Sequence, residues 1–128
     1  MKKISLFTKI AFHISNIVLI ALYLYPGSIM GWIIYKDTQK QPQLTSDFII
    51  FSTNHVYAFM VLSLLGVISY DNKKTKILLI YLFFISIVLE LCHVLIPERS
   101  FQYKDLFGNL FGVILIFILF KLYNFFKS

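Results

Sequence analysis

Long apolar runs separated by short polar stretches make up most of the chain. Four of these runs are about as long as the helix of roughly 20 residues that crosses a hydrocarbon core; they cover residues 4–25, 48–70, 77–96 and 106–126. Because backbone groups in lipid cannot bond to water, each run is predicted to be a helix. The predicted fold class is all-α, an integral membrane four-helix bundle made by residues 1–128 as a single domain.

The apolar residues 28–35 fit less simply into this pattern. They follow Pro26, which ends the first run because proline lacks an N–H and clashes one turn back. They either continue the first helix beyond a kink or lie on the membrane surface around Trp32. A continuous helix from Lys9 to Lys36 would be longer than a bilayer is thick, so the sequence favours the surface segment.

Composition agrees with a membrane protein. Only 14% of the residues are charged, whereas soluble domains carry about a quarter. The single cysteine, Cys92, excludes a disulfide scaffold. In a soluble protein, a net charge of +6 would favour binding to nucleic acid. In a membrane protein, the basic residues first indicate how the chain is oriented in the membrane.

Basic residues collect on the cytoplasmic side of membrane proteins. One predicted side carries eight of the twelve basic residues: Lys2, Lys3, Lys9, Lys73, Lys74, Lys76, Lys121 and Lys127. Asp71 is the acidic residue on that side, and the other acidic residues belong to the opposite half: Asp37, Asp47, Glu90, Glu98 and Asp105. Both termini are therefore predicted to be cytoplasmic, and no nucleic-acid partner is expected.

Several polar residues lie inside the predicted spans, where they are costly and usually face a protein interior or a watery cavity. His55 is near the start of the second span, Glu90 and His93 near the end of the third, and Asp105 and Asn109 open the fourth. The i, i+3 and i, i+4 spacings place each pair on one helix face. We therefore predict a small polar pocket that opens to the outside.

Each of these residues also has an ordinary structural interpretation. Glu90 and His55 could form hydrogen bonds between helices, and Asp105 could cap the fourth helix. Arg99 could bind a phosphate or carboxylate group of a ligand. Alternatively, it could anchor the chain at the membrane interface. The predicted binding residues are His55, Glu90, His93, Arg99, Asp105 and Asn109.

Other residues are interpreted as packing elements. Pro97 ends the third helix, and Gly108 and Gly112 form a G-x-x-x-G pattern that permits close helix contact. His13, Ser15 and Asn16 are interpreted as hydrogen-bonding residues between helices in the cytoplasmic half. The many Phe and Tyr residues are interpreted as facing lipid and the membrane interface.

One spacing is distinctive: Glu90-x-x-His93-x-x-x-Pro97-x-Arg99, then Asp105-x-x-x-Asn109-x-x-Gly112, with His55 and Phe59 ahead of it. This arrangement resembles the VanZ-like family of small bacterial membrane proteins, in which Gln is usual where this chain has His93. The resemblance implies a cell-envelope role, linked in the family to glycopeptide (teicoplanin-type) antibiotic resistance and to polysaccharide-related functions.

Three functional hypotheses follow. The first is a non-enzymatic envelope protein without metal or cofactor, whose outer pocket binds the headgroup of a lipid-linked sugar or phosphate. The second is an intramembrane enzyme with a metal held by His55, Glu90, His93 and Asp105; the usual family Gln at position 93 argues against an obligatory metal. The third is a structural partner in a larger membrane complex or a minimal transporter component. The sequence does not specify the substrate, the partner or the oligomeric state.

Overall fold

All the regular structure in the described part of the chain is helical. A computed structural model describes residues 2–43, 45–70, 72–97 and 99–127. The elements are α1 (Lys2–Leu24), α2 (Ile29–Tyr35), α3 (Thr53–Ser69), a 3-10 turn (Asn72–Lys74), α4 (Thr75–Cys92) and α5 (Tyr103–Lys127). The predicted all-α class is therefore confirmed. Asp71 and Glu98, which were assigned to sides of the membrane, lie outside the described residues, as do the side chains of Lys2 and Lys3.

Among the residues that the structure describes, three helices are long and apolar enough to cross a membrane. They are residues Leu6–Leu24 of α1, all of α4 and all of α5. The remaining long helix, α3, has 17 residues, which corresponds to a rise of about 26 Å. It is therefore slightly shorter than a hydrocarbon core of about 30 Å.

α3 begins at Thr53, later than residue 48, because Asp47 holds the preceding chain in a turn. Asp47 Oδ1 accepts hydrogen bonds from the Thr53 backbone N–H at 3.0 Å and from its hydroxyl at 3.2 Å. The Gln43 side chain donates to the same oxygen at 2.8 Å. The Ser52 N–H donates to the carbonyl of Lys104 at 3.1 Å. Asp47 Oδ1 thus satisfies a free N–H at the start of α3, as the side chain of a capping residue does.

α4 ends at Cys92 instead of near residue 96, and Pro97 supplies the physical reason. A proline ring clashes with the carbonyl four residues earlier, here that of His93, and disfavours helical geometry in the residue before it. The chain leaves the helix through a tighter turn in which the His93 N–H donates to the Glu90 carbonyl at 3.1 Å. His93 keeps near-helical angles, φ −59° and ψ −25°, so it still lies on the face of Glu90.

α2 is a separate short helix. Gly27 has φ 98°, a conformation that glycine adopts readily, and it turns the chain after α1. Ser28 then caps α2, because its hydroxyl oxygen accepts from the Gly31 N–H at 2.9 Å. A kinked continuation of the first helix is therefore wrong. The side chain of Trp32 is 60% exposed, and the position of α2 on the membrane surface stays a prediction.

α3 is the central helix and packs most extensively on α5 and α1. A Cβ at Gly108 would lie 2.7 Å from the Ser52 carbonyl oxygen, and one at Gly112 would lie 2.6 Å from the Val56 carbonyl oxygen. The α3 and α5 backbones are therefore in direct contact, which requires residues without side chains. The buried core around this contact includes Phe59, Leu62, Leu82, Leu89, Val113 and Ile116.

Hydrogen bonds also connect the other end of the bundle. His13 Nε2 lies 2.8 Å from the Tyr70 hydroxyl, and the Asn16 amide donates to the Tyr81 hydroxyl. The interhelical interpretation of His13 and Asn16 is thus confirmed. Tyr70 and Tyr81 also bond to other helices through their hydroxyls, a role that the interpretation of the tyrosines as lipid-facing and interfacial residues did not include.

Replacing Asp47 by Ala should lower the free energy of unfolding by about 1 kcal/mol, the usual effect of losing a cap. Burial raises the pKa of Asp47, but hydrogen bonds from Thr53 and Gln43, together with Lys104, outweigh burial and leave the pKa below its usual value. A group with a lowered folded pKa stabilises the protein above its unfolded pKa, and this contribution is lost as the pH falls through the folded pKa.

Thermal unfolding in detergent micelles measures this effect. The difference between wild type and Asp47→Ala should be present at neutral pH and disappear at acidic pH below the folded pKa. Asp37→Ala is the matched control, since Asp37 is another loop aspartate that accepts a backbone N–H, from Gln39 at 2.9 Å. An Asp47→Ala difference that does not change with pH would contradict the capping role.

Gly112→Ala should destabilise the protein by roughly 1–3 kcal/mol, because the new methyl group meets the α3 backbone, which cannot move aside. Gly66→Ala is the control. Its Cβ would lie 2.9 Å from a Leu78 methyl carbon, the far end of a flexible side chain. Thermal midpoints in detergent should therefore fall further for Gly112→Ala than for Gly66→Ala, and equal or reversed losses would argue against backbone contact between α3 and α5.

Candidate functional site

His55, in the first turn of α3, is held on both sides by α5. Its Nε2 lies 3.6 Å from Asp105 Oδ1, and its Nδ1 lies 2.9 Å from Asn109 Oδ1. Gly108 lies between these two contacts, and a Cβ there would be 3.1 Å from the His55 Cβ. The close contact of the two helices thus allows one α5 turn to hold both nitrogens of the imidazole ring.

Tyr23 completes a triangle of polar groups around His55 Nδ1. Its hydroxyl lies 2.7 Å from Nδ1 and donates to Asn109 Oδ1 at 2.8 Å. The Asn109 amide nitrogen donates to the Ser86 carbonyl at 3.1 Å, so the amide oxygen faces His55. An amide oxygen can only accept, so the proton in the His55–Asn109 contact belongs to Nδ1. In neutral His55, Nε2 therefore carries a lone pair that faces Asp105.

Glu90 and His93 form a second, fully enclosed pair on α4. They are 0% and 1% exposed. His93 Nδ1 lies 3.2 Å from Glu90 Oε1, and His93 Nε2 lies 3.1 Å from the Tyr23 carbonyl oxygen. The Gln102 backbone N–H also donates to Oε1, at 3.1 Å. The Tyr23 carbonyl oxygen can only accept, so Nε2 carries a proton, and one further proton lies in the hydrogen bond between Nδ1 and Oε1. Whichever of these two atoms carries it, the pair is neutral overall, as an apolar bundle requires.

The other Glu90 oxygen is left without a hydrogen bond. Oε2 is buried and has no partner among the described residues. A carboxylate oxygen of Glu90 also belongs to a cluster with His55 and Asp105, in which one ligand atom from each residue lies within 4.8 Å of the others. Three helices therefore bring three potential metal or proton ligands to one place.

Arg99 has a structural role at the end of α1. Its Nε donates to the Tyr25 carbonyl at 3.1 Å, and its Nη2 donates to the carbonyls of Leu22 and Gly27 at 2.8 and 2.7 Å. Burial lowers the pKa of Arg99 and nearby Asp105 opposes that shift, so the guanidinium stays charged. These bonds cap the C-terminus of α1, where a cation is favourable.

A groove of about 740 Å³ runs between α1, α2 and α3. Along most of its length its walls are apolar: Ile14, Val18, Leu22, Met30, Ile34 and Val61. At the end where α1 stops and α3 begins, the lining is polar and includes Tyr23, His55, Arg99 and Asp105. The apolar groove thus ends at the polar cluster around His55.

The structure brings most of the predicted residues together. His55, Asp105 and Asn109 are in contact, and Glu90 and His93 adjoin them, whereas Arg99 faces the α1 carbonyls. The sequence interpretation missed Tyr23, which was grouped with lipid-facing aromatics and is 7% exposed. A usable signal existed, since Tyr23 lies near the end of the first span, at the membrane depth predicted for the pocket.

These features define an all-α membrane protein with a buried polar cluster at one end of an apolar helix bundle. Comparison with protein families specifies the class further: the VanZ/LLP1 family model matches residues 6–124. The chain belongs to this family, which confirms the resemblance found in its sequence. Searches of curated proteins and of solved structures found no significant match.

The arrangement of Tyr23, Asn109 and Ser86 predicts that neutral His55 carries its proton on Nδ1. Nitrogen NMR of ¹⁵N-histidine-labelled protein in micelles, above the pH at which the ring titrates, distinguishes the two tautomers. His55→Gln assigns the signal by removing it. A His55 signal with the proton on Nε2, the form that predominates in water, would contradict the deduced orientation of the Asn109 amide.

Proposed function

We propose that this chain is a four-helix membrane bundle in the cell membrane, with both termini cytoplasmic, that binds a membrane lipid by its chain and its polar headgroup. α1, α3, α4 and α5 would cross the membrane, with the apolar residues before α3 extending its reach. The His55 cluster would then lie at the outer side. The positions of the basic residues support this orientation, since Lys9 and Lys74 lie together over the Tyr70 ring at the opposite end.

The single observation that carries the proposal is the form of the groove. Its apolar walls fit a hydrocarbon chain, and its polar end offers donors and acceptors to a headgroup. Val61, which is 56% exposed, and Val18, which is 50% exposed, lie along its walls. In a membrane this groove would be open to lipid, so a chain could enter from the bilayer without crossing water.

The polar end favours a headgroup with hydroxyl or phosphate oxygens. Asp105 and His55 can exchange hydrogen bonds with sugar hydroxyls, while the charged Arg99 guanidinium lies at the same end and favours an anion. Arg99 already donates to three carbonyls, so its contribution is mainly its positive charge. A lipid-linked sugar or phosphate combines both kinds of group.

The family resemblance suggests where such binding would be used. Binding of an envelope lipid would place the protein in cell-envelope polysaccharide or lipid handling, and it would connect the site to teicoplanin-type resistance. In that case a variant with a blocked groove should lose any resistance conferred by the wild type at equal abundance in the membrane.

Val61→Trp should block the groove and reduce lipid binding severalfold, because the indole fills the space between α1 and α3. Leu64→Trp is the matched control, since Leu64 lies one turn further along α3, is 46% exposed and does not line the groove. Native mass spectrometry of protein released from nanodiscs measures bound lipid directly. The discs contain phosphatidylcholine with a polyprenyl phosphate in one series and with a neutral diglycosyl lipid in the other.

Retention of either polar lipid by wild type and Leu64→Trp, with loss in Val61→Trp, is the expected result. Preference for the phosphate lipid would assign the recognition to charge, and preference for the glycolipid would assign it to hydroxyl groups. Equal retention by both Trp variants, or binding of phosphatidylcholine alone, would show that the groove has no role in headgroup recognition.

A further inference from the structure

We propose that His55, Glu90 and Asp105 bind a divalent transition-metal ion, with His55 Nε2 and one oxygen of each carboxylate as the ligands. This inference goes beyond the proposed lipid site and does not depend on it. It begins from the cluster in which one ring nitrogen of His55 and one carboxylate oxygen each of Glu90 and Asp105, from α3, α4 and α5, lie within 4.8 Å of one another.

The orientation of His55 is the first support. The Asn109 amide oxygen and the Tyr23 hydroxyl engage Nδ1 at 2.9 and 2.7 Å. Metal-binding histidines commonly donate their other ring N–H to a protein acceptor in this way, which fixes the tautomer and directs the lone pair at the ion. The lone pair of neutral His55 is directed toward the Asp105 side of the cluster.

The separation of His55 and Asp105 is the second support. The distance of 3.6 Å between Nε2 and Oδ1 is too long for a good hydrogen bond. It is close to the separation of about 3.4 Å between two ligands of a tetrahedral ion with bonds of 2.0–2.1 Å. The widest separation in the cluster, up to 4.8 Å, has to shorten by about 1.4 Å to reach this value, a movement that rotation of the two carboxylate groups about their terminal torsions can share.

The unpartnered oxygen of Glu90 is the third and independent support. Glu90 is 0% exposed, and Oε1 already accepts from Gln102 and faces His93. Oε2 has no partner in the described part of the chain, although buried polar atoms are almost always satisfied. A cation bound through Oε2 would supply the missing partner.

The donor set indicates the kind of ion. One imidazole and two carboxylates suit zinc or manganese, whereas magnesium prefers oxygen ligands alone and retains several waters. His93 is not a ligand, because both of its nitrogens are engaged, one by Glu90 and one by the Tyr23 carbonyl. Of the four metal ligands considered from the sequence, the site therefore uses all except His93. A different residue at position 93 would leave the three ligands in place. His55 and Asp105 line the groove, so open coordination positions would face it.

The test uses the full chain in detergent, with any histidine tag removed, dialysed against EDTA and then titrated with Zn²⁺ alone or Mn²⁺ alone. Metal retained after gel filtration is measured by mass spectrometry, and thermal unfolding is followed in parallel. About one Zn²⁺ or Mn²⁺ per chain and a raised unfolding midpoint are expected. A folded wild type that retains neither ion would overturn the proposal.

Glu90→Gln and Asp105→Asn keep the shape of each side chain and should each weaken metal affinity at least about tenfold. Asp105→Asn is the safer variant for folding, since the Asp105 side chain is 18% exposed. His13→Gln, which changes a histidine at the other end of the bundle, should bind metal like wild type. Equal affinity in wild type, Glu90→Gln and Asp105→Asn would place the ion elsewhere and contradict the assignment.

Discussion

The burial of Glu90 is the constraint on which the rest of the polar end of the bundle depends. A carboxyl group that is 0% exposed in an apolar bundle must be neutralised and hydrogen-bonded, because an isolated charge there is far too costly. His93, one turn later, forms a hydrogen bond with Glu90, and the Gln102 N–H donates a second hydrogen bond to the same carboxyl group. That donor can return to Glu90 because Pro97 stops α4 early and sends the chain back over the helix end. The early end of α4 before Pro97 thus provides Glu90 with one of its hydrogen bonds.

The contact between α3 and α5 positions the side chains around His55. Without Cβ atoms at Gly108 and Gly112, the two backbones approach so closely that Asp105 and Asn109 reach opposite nitrogens of His55. A larger residue at position 108 would push α5 away from the His55 Cβ and separate both contacts together. Helix packing and site geometry therefore depend on the same feature, the missing side chains on one face of α5.

Much of this end of the molecule could be predicted from local spacing, and the rest required knowledge of contacts between distant segments. Glu90 and His93 share a face because they are three residues apart, which the sequence shows directly. Tyr23 bonds to Asn109 across 86 positions of chain, and no periodicity reveals that pairing. The start of α3 was missed because apolar residues continue before it, while the deciding contact is the Asp47 carboxylate on the Thr53 N–H. Arg99 likewise donates to carbonyls in the last turn of α1 and in the chain just after it, which a charge pattern cannot indicate.

The position of the groove restricts which ligands the cluster can receive. His55 and Asp105 form its polar end, whereas Glu90 lies behind them and does not line it. A water-soluble sugar would reach His55 and Asp105 without using the apolar walls, so it would gain little from burial. An amphipathic molecule gains from both parts, because its chain fills the groove while its headgroup meets the charged residues in a region of low dielectric, where polar contacts are stronger. Under the proposed function, the combination of apolar length and a polar end would therefore favour a lipid over a free headgroup.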